Sequence, residues 1–263
     1  MTTLANEPLL RIRDLAIEIG GRRLVAIDAL DVARGEIAGL VGESGAGKSL
    51  LLAAILGLLP RDARLQGSIR FDGTELVGAP DATWRPIRGR RIAVVLQAAR
   101  AALTPTLRTG TWIDRALALH GIPAGERAAR VDHALATVRL DRGHLARYPH
   151  QLSGGEAQRI SIALAVALRA ELILADESTS ALDVTVQAEV AERFLELRAS
   201  EGTAFLVVSH DLALVAGLAD RIAILEAGRI VEAGGPGILR EPAHPVTRAR
   251  SEEHTSELQS LAY

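Results

Sequence analysis

The run Gly42-Glu43-Ser44-Gly45-Ala46-Gly47-Lys48-Ser49 constrains this chain more than any other feature. It fits G-x-x-x-x-G-K-[ST] at every fixed position, the pattern of a loop whose backbone N–H groups cradle phosphates. Such a loop needs a strand leading in and a helix leading out. Glu36–Val41 reads as a short apolar strand, and Lys48–Leu59 carries a helical run of Leu, Ala and Ile that ends at Pro60. Lys48 is also the only lysine among 30 basic residues; every other is arginine. A composition so biased would have converted a lysine needed only for charge. A compact ammonium suits a tight glycine loop, and a planar guanidinium does not. The chain is therefore expected to bind a nucleoside triphosphate. The competing reading, a glycine-rich turn before an ordinary helix, leaves the single lysine unexplained.

At 263 residues the chain can bury a full core, as one large domain or a domain with a subdomain. Its 48% hydrophobic and 3% aromatic content predicts a core of Ala, Val, Leu and Ile. A net charge of −2 gives no electrostatic reason to expect nucleic acid as a partner. Zero cysteines excludes disulfides, thiolate metal sites and thiol catalysis. Met1 to Pro8 lacks the basic start and apolar run of a signal peptide. Ile160 to Ala175, the most apolar stretch, is broken by Arg169 and Glu171, short of the ~20 residues a membrane span needs. A soluble protein is expected.

Leu9–Ile19 and Arg23–Val32 alternate as two strands around Gly20-Gly21, and Gly67–Phe71 with Thr74–Val77 reads as a hairpin around Asp72-Gly73. Arg91–Leu96 is a buried strand ending at Gln97, and the pattern from about Arg108 to Arg147 turns helical and more polar. Strands Leu172–Ala175, Ala204–Val208 and Arg221–Leu225 then alternate with helices Glu156–Leu168, Val184–Ala199 and Leu212–Leu218. That alternation predicts an α/β protein with parallel strands. A last hairpin is expected from Arg221–Leu225 and Arg229–Glu232 around Ala227-Gly228.

Leu172-Ile173-Leu174-Ala175-Asp176-Glu177 is an apolar strand ending in two carboxylates. Acids at the C-terminal edge of a parallel strand face the crevice where α/β proteins bind ligands. Asp176 suits a Mg²⁺ ligand, and Glu177 could polarise an attacking water. Paired acids also commonly begin a helix. In Leu152-Ser153-Gly154-Gly155-Glu156, the hydroxyl of Ser153 and the bare amides of Gly154 and Gly155 open a helix, which makes a second anion site. One chain has little use for two γ-phosphate sites, whereas two chains packed head to tail can each lend this turn to the other. The plainer reading is a Ser N-cap with a nearby Glu.

These segments together resemble the ATP-binding-cassette family from about Leu9 to Arg248. The resemblance implies a P-loop (RecA-like) ATPase core with an N-terminal antiparallel β-subdomain and an inserted helical subdomain: core at 1–97 and 156–249, helical insert at 98–155. It implies that Gly42, Ser44, Gly45, Gly47, Lys48 and Ser49 hold ATP, and that Ser49, Gln97 and Asp176 serve Mg²⁺. Glu177, His210 and Gln97 take the catalytic places; Ser153, Gly154, Gly155 and Asp183 complete the paired nucleotide site. A lone histidine is more often structural, and His210 owes its role to its place after a strand. His120, His133, His144 and His150 are expected to be surface residues. Within the family, Ala181–Ala188, Gly228–Glu232 and His244–Arg248 are similar to the ATPase subunits of dipeptide, oligopeptide and nickel importers. That likeness implies two membrane permeases, a second ATPase subunit (like or unlike), an extracytoplasmic solute-binding protein, no nucleic acid, and a peripheral place on the cytoplasmic face of the bacterial inner membrane.

Ile19 stands near the usual adenine-stacking aromatic, Ser178 where proline is usual, and Ala98-Ala99 beside the loop glutamine. None of these removes a phosphate-binding group. After Arg248 the texture changes, and residues 250–263 read as a polar tail. Arg250 to Ser260 resembles an in-frame translation of a short-read sequencing adapter, so the native chain is expected to differ after about Ala249. Other classes share the cassette: DNA-maintenance ATPases, ribosome-associated regulators and exporters. The stretch from Ser49 to Leu152 has neither the heptads nor the cysteines of a DNA-maintenance insertion, and the chain has one cassette where translation regulators usually have two.

Overall fold

The computed structural model describes residues 7–96, 98–176 and 184–260, with side chains of 184–189 and 253–260 set aside. In chain order the strands are β1 Leu10–Ile19, β2 Arg22–Val32, β3 Ile37–Gly42, β4 Arg64–Phe71, β5 Thr74–Glu75, β6 Ile92–Leu96, β7 Leu172–Asp176, β8 Ala204–Ser209, β9 Arg221–Glu226 and β10 Arg229–Gly234. The α-helices are α1 Lys48–Ile55, α2 Asp81–Trp84, α3 Ala99–Ala102, α4 Thr109–Leu119, α5 Ala124–Thr137, α6 Gly154–Leu168, α7 Val184–Glu201, α8 Leu212–Leu218 and α9 Pro245–Ser260. The chain divides into two compact units, Met1–Trp84 with Ala204–Tyr263, and Arg85–Thr203.

In the first unit, β2, β1, β4 and β5 form an antiparallel sheet. Leu10 pairs with Val32 and Phe71, and Ile12 with Leu30 and Ile69. Alternation buries Leu10 and Ile12, and an irregularity at Asp14, which sits at φ 47°, shifts the phase so that Leu15 and Ile17 are buried as well. In the same unit β3 lies between β8 and β9, parallel to both, and β10 closes a hairpin onto β9. Every residue of β3 and β8 is buried, the signature of parallel strands covered on both faces. At the far end, Glu232 of β10 accepts the N–H groups of Ala243 and His244 at 3.0 and 3.1 Å, fastening the start of α9. That helix continues unbroken through Ser260.

The exit helix α1 is shorter than expected. It stops at Ile55 rather than running to Leu59, because Gly57 takes a left-handed φ of 62°. Gly57 N–H donates to Ala54 O at 3.0 Å and Leu58 N–H to Ala53 O at 2.8 Å, so a Schellman turn ends the helix before Pro60 can.

In the second unit β6 and β7 pair in parallel, from Ile92 opposite Leu172 to Leu96 opposite Asp176. Arg91 pairs with Glu171 at their entry. Around them α4, α5 and α6 bury Ile113, Leu117, Leu135 and Ile160, and Val138 just past the end of α5 is buried with them. Among the described residues no helix is long and apolar enough to cross a membrane.

Candidate nucleotide site

The glycine run sits where β3 hands over to α1. Gly47 caps the helix at φ 105°, ψ 3°, and Gly45 stands at φ 82°, conformations that L side chains rarely adopt. A Cβ on Gly47 would lie 2.8 Å from Val25 Cγ2, so crowding as well as φ demands glycine there. The first intrahelical bond runs from Leu51 N–H to Gly47 O at 3.0 Å. The helix's opening amides therefore have no acceptor within the helix, and no acidic residue occupies the first turn. That leaves the positive end of the helix dipole open to an anion.

Lys48 is 5% exposed and folds back over the loop, its Nζ donating to Gly42 O at 2.7 Å and Glu43 O at 2.8 Å. Glu43, Ser44, Gly45 and Ser49 are exposed around it. Two distant segments brace the turn. Gly228 N–H donates to Ala46 O at 2.9 Å, and Ala26 N–H donates to Gly228 O at 2.7 Å. A Cβ on Gly228 would sit 2.1 Å from Leu24 O, so only glycine permits that approach. Sequence reading placed Gly228 in a hairpin but missed this brace; no local pattern signals it.

His210 follows β8 and is exposed. Val41 pairs with Ser209, so the parallel register delivers the phosphate loop and His210 to the same end of neighbouring strands. Ser209 Oγ accepts Asp211 N–H at 2.9 Å, and Asp211 Oδ1 caps α8 through Leu214 N–H at 3.0 Å. These two bonds fix the backbone on the C-terminal side of His210.

Asp176 ends β7, half-buried and opposite Leu96. Gln97, Glu177 and Asp183 lie outside the described residues. Ser153 is the N-cap of α6, which opens with Gly154 and Gly155, two residues before the expected start. A full capping box is present. Ser153 Oγ accepts Glu156 N–H at 3.1 Å, and Glu156 Oε2 accepts Ser153 N–H at 2.8 Å. The cap and an anion site are compatible, because the hydroxyl accepts from Glu156 and retains its own proton to donate outward. Arg100 also donates to Leu152 O, just ahead of the tip.

Glu156 is held down to about 2, first by the Ser153 N–H, with burial opposing and His144, the Ser153 hydroxyl and Arg147 assisting. This corrects one expectation. His133 and His150 are exposed and His120 is half-buried, but His144 is buried at 8% exposure, with Nε2 3.1 Å from Glu156 Oε1. It sits in a short 3-10 turn, Arg142–Ala146, which carries no hydrophobic period to betray burial.

The sequence pattern of the ABC transporter family matches residues 27–180, more than half of the chain. The dipeptide transport ATP-binding protein DppD of Haemophilus influenzae is 40% identical over 252 residues, 92% of this chain and 76% of that protein. The chain belongs to the ABC transporter family. An oligopeptide transport ATP-binding protein, OppD of Lactococcus lactis subsp. cremoris, is 37% identical over 89% of this cassette and 72% of its own length. Among solved structures, the dimeric ATP-binding cassette MJ0796 bound to ADP and Pi superposes with a TM-score of 0.75 at 26% identity, covering 86% of this chain and 98% of that one. An ATP-binding subunit of an ABC transporter gives 0.75 at 28% identity, over 95% and 99%. The fold is that of a P-loop ABC cassette, and the chain is an ATPase of that family.

Proposed function

We propose that this cassette is the ATP-hydrolysing subunit of an importer for dipeptides, oligopeptides or nickel, driving two membrane permeases by closure of an ATPase dimer. The observation that carries the ATP site is the phosphate loop: a buried lysine over an uncapped helix end, edged by exposed Ser44, Gly45 and Ser49. The names of its relatives support peptide import over a DNA-maintenance or translation-regulating cassette.

In this reading Gly42, Ser44, Gly45, Gly47, Lys48 and Ser49 bind the phosphates, and His210 contacts the γ-phosphate. Glu177 orients the attacking water for in-line displacement. The Ser49 hydroxyl and the Asp176 carboxylate are hard oxygen donors of the kind Mg²⁺ takes, with Gln97 as a third. That ion, when bound, would neutralise charge on the phosphates. Ser153, Gly154, Gly155 and Asp183 complete the second subunit's site. The cassette would sit peripherally on the cytoplasmic face of the membrane, held by its permeases and supplied by a solute-binding protein.

Glu177→Gln tests the chemistry. The variant should bind ATP as the parent does while hydrolysing it at least a hundredfold more slowly, within the usual range for a lost general base. Hydrolysis at the parent rate would remove Glu177 from the role.

A further inference from the structure

We propose that His144 is a positioning residue for the Ser153 tip of α6, acting through Glu156. The inference rests on the reading that Ser153 faces a second subunit's nucleotide, and it names what sets the direction of that contact.

Glu156 is the hub. One carboxylate oxygen, Oε2, accepts the Ser153 N–H at 2.8 Å; the other, Oε1, lies 3.1 Å from His144 Nε2 and 3.0 Å from Arg147 Nη1. An ionised carboxylate only accepts, so His144 presents Nε2–H to it. A capping box needs no more than its serine and glutamate. Here the glutamate is gripped from behind by a buried ring and a guanidinium, which selects one rotamer and therefore one orientation of the cap.

The ring is fixed in turn. Its Nδ1 lies 3.1 Å from Asp141 Oδ1 and 3.2 Å from Asp141 O. Its backbone O accepts the hydroxyl of Thr109 at 2.5 Å, and the Thr109 N–H donates to Arg147 O at 2.9 Å. Thr109, at 1% exposure, opens α4. The next residue, Gly110, lets the turn come close: a Cβ there would stand 3.0 Å from Leu145 O. The first turn of α4, the 3-10 turn and the tip of α6 are thus one hydrogen-bonded chain, Thr109 to His144 to Glu156 to Ser153. Displacing a positioned group by about 1 Å can cost up to about a hundredfold in rate, so a loosened tip should show in turnover rather than in folding.

The test compares Ser153→Ala, His144→Ala, His144→Gln, His144→Asn and the double variant His144→Ala/Ser153→Ala in the full chain. Steady-state ATP hydrolysis, binding of a fluorescent ATP analogue at low protein concentration, and thermal unfolding are measured for each. Glutamine places its amide nitrogen near the Nε2 position and can still donate to Glu156; asparagine reaches only the Nδ1 position. His144→Ala and His144→Asn should lower kcat about tenfold, with analogue binding at the Lys48 loop within about twofold of the parent, and His144→Gln should recover most of the loss. The double variant should be no slower than Ser153→Ala alone, because both changes act on one contact. Should His144→Ala fail to fold, the Asn and Gln variants carry the same expectation. If Ser153→Ala slows hydrolysis while folded His144→Asn keeps the parent kcat, or if the losses multiply in the double variant, His144 does not position the tip. Parent-rate hydrolysis by Ser153→Ala would instead overturn the reading of the α6 tip, and with it the role of His144.

Discussion

The N-termini of α1 and α6, which the proposed function offers to phosphate, are built in opposite ways. The end of α1 follows a glycine, with no side-chain cap and no acid in its first turn. The end of α6 has a serine cap, and Glu156 in its first turn is ionised across the neutral range. An uncapped end keeps both its orphan amides and its dipole for a ligand, whereas a capped end with a carboxylate has already satisfied much of each. The first can hold an anion by itself. In the proposed function the second would add a hydroxyl and two glycine amides to an anion held elsewhere.

The largest effect that would sharpen this contrast comes from Lys48. Lys48→Ala should lower ATP hydrolysis roughly a thousandfold, the upper range for losing one electrostatic stabiliser. Lys48→Arg should lose nearly as much, because its fork does not fit where a point charge does. Hydrolysis by the Arg variant near the parent rate would mean that charge alone matters at α1.

Next in size is the backbone. Gly47→Ala forces a side chain into φ 105° and against Val25, and should destabilise the chain by about 1–3 kcal/mol in urea unfolding, with loss of ATP binding. The smallest effect belongs to α6. Glu156→Ala removes half of the capping box and should cost about 1 kcal/mol at neutral pH. The Glu156 carboxyl lies below its ordinary 4.5 in the folded chain, so its stabilisation is present above that value and fades as pH falls toward about 2. Thermal unfolding of parent and variant should therefore converge on acidification. A gap that stays undiminished down to pH 2 would mean that Glu156 acts by packing rather than by charge.

Much of the first end was legible in the sequence, because strand, glycines, lysine and helix are contiguous. The strands that carry His210 and Asp176 were legible too, from apolar runs bounded by polar residues. Less was legible where distant segments meet. The stop of α1 at Gly57 competes with a louder signal, Pro60, and only backbone hydrogen bonds decide between them. His144 lies in a single 3-10 turn, too short for any periodicity to mark an inner face. Its neighbours Thr109 and Glu156 are far apart in sequence, so no window contains the cluster. Gly228 was visible as a turn residue, yet its bond to Ala46 spans most of the chain.

That last bond sets an order on biosynthesis. The motif from Gly42 to Ser49 leaves the ribosome early, but the strut that shapes it, Gly228 hydrogen-bonded to Ala46 and Ala26, emerges only after residue 228. Nascent chains arrested before that point should fail to retain ATP, and those arrested well beyond it should retain it, as pull-down on an immobilised nucleotide would measure. Nucleotide capture would then report that translation has passed the last strands of the sheet.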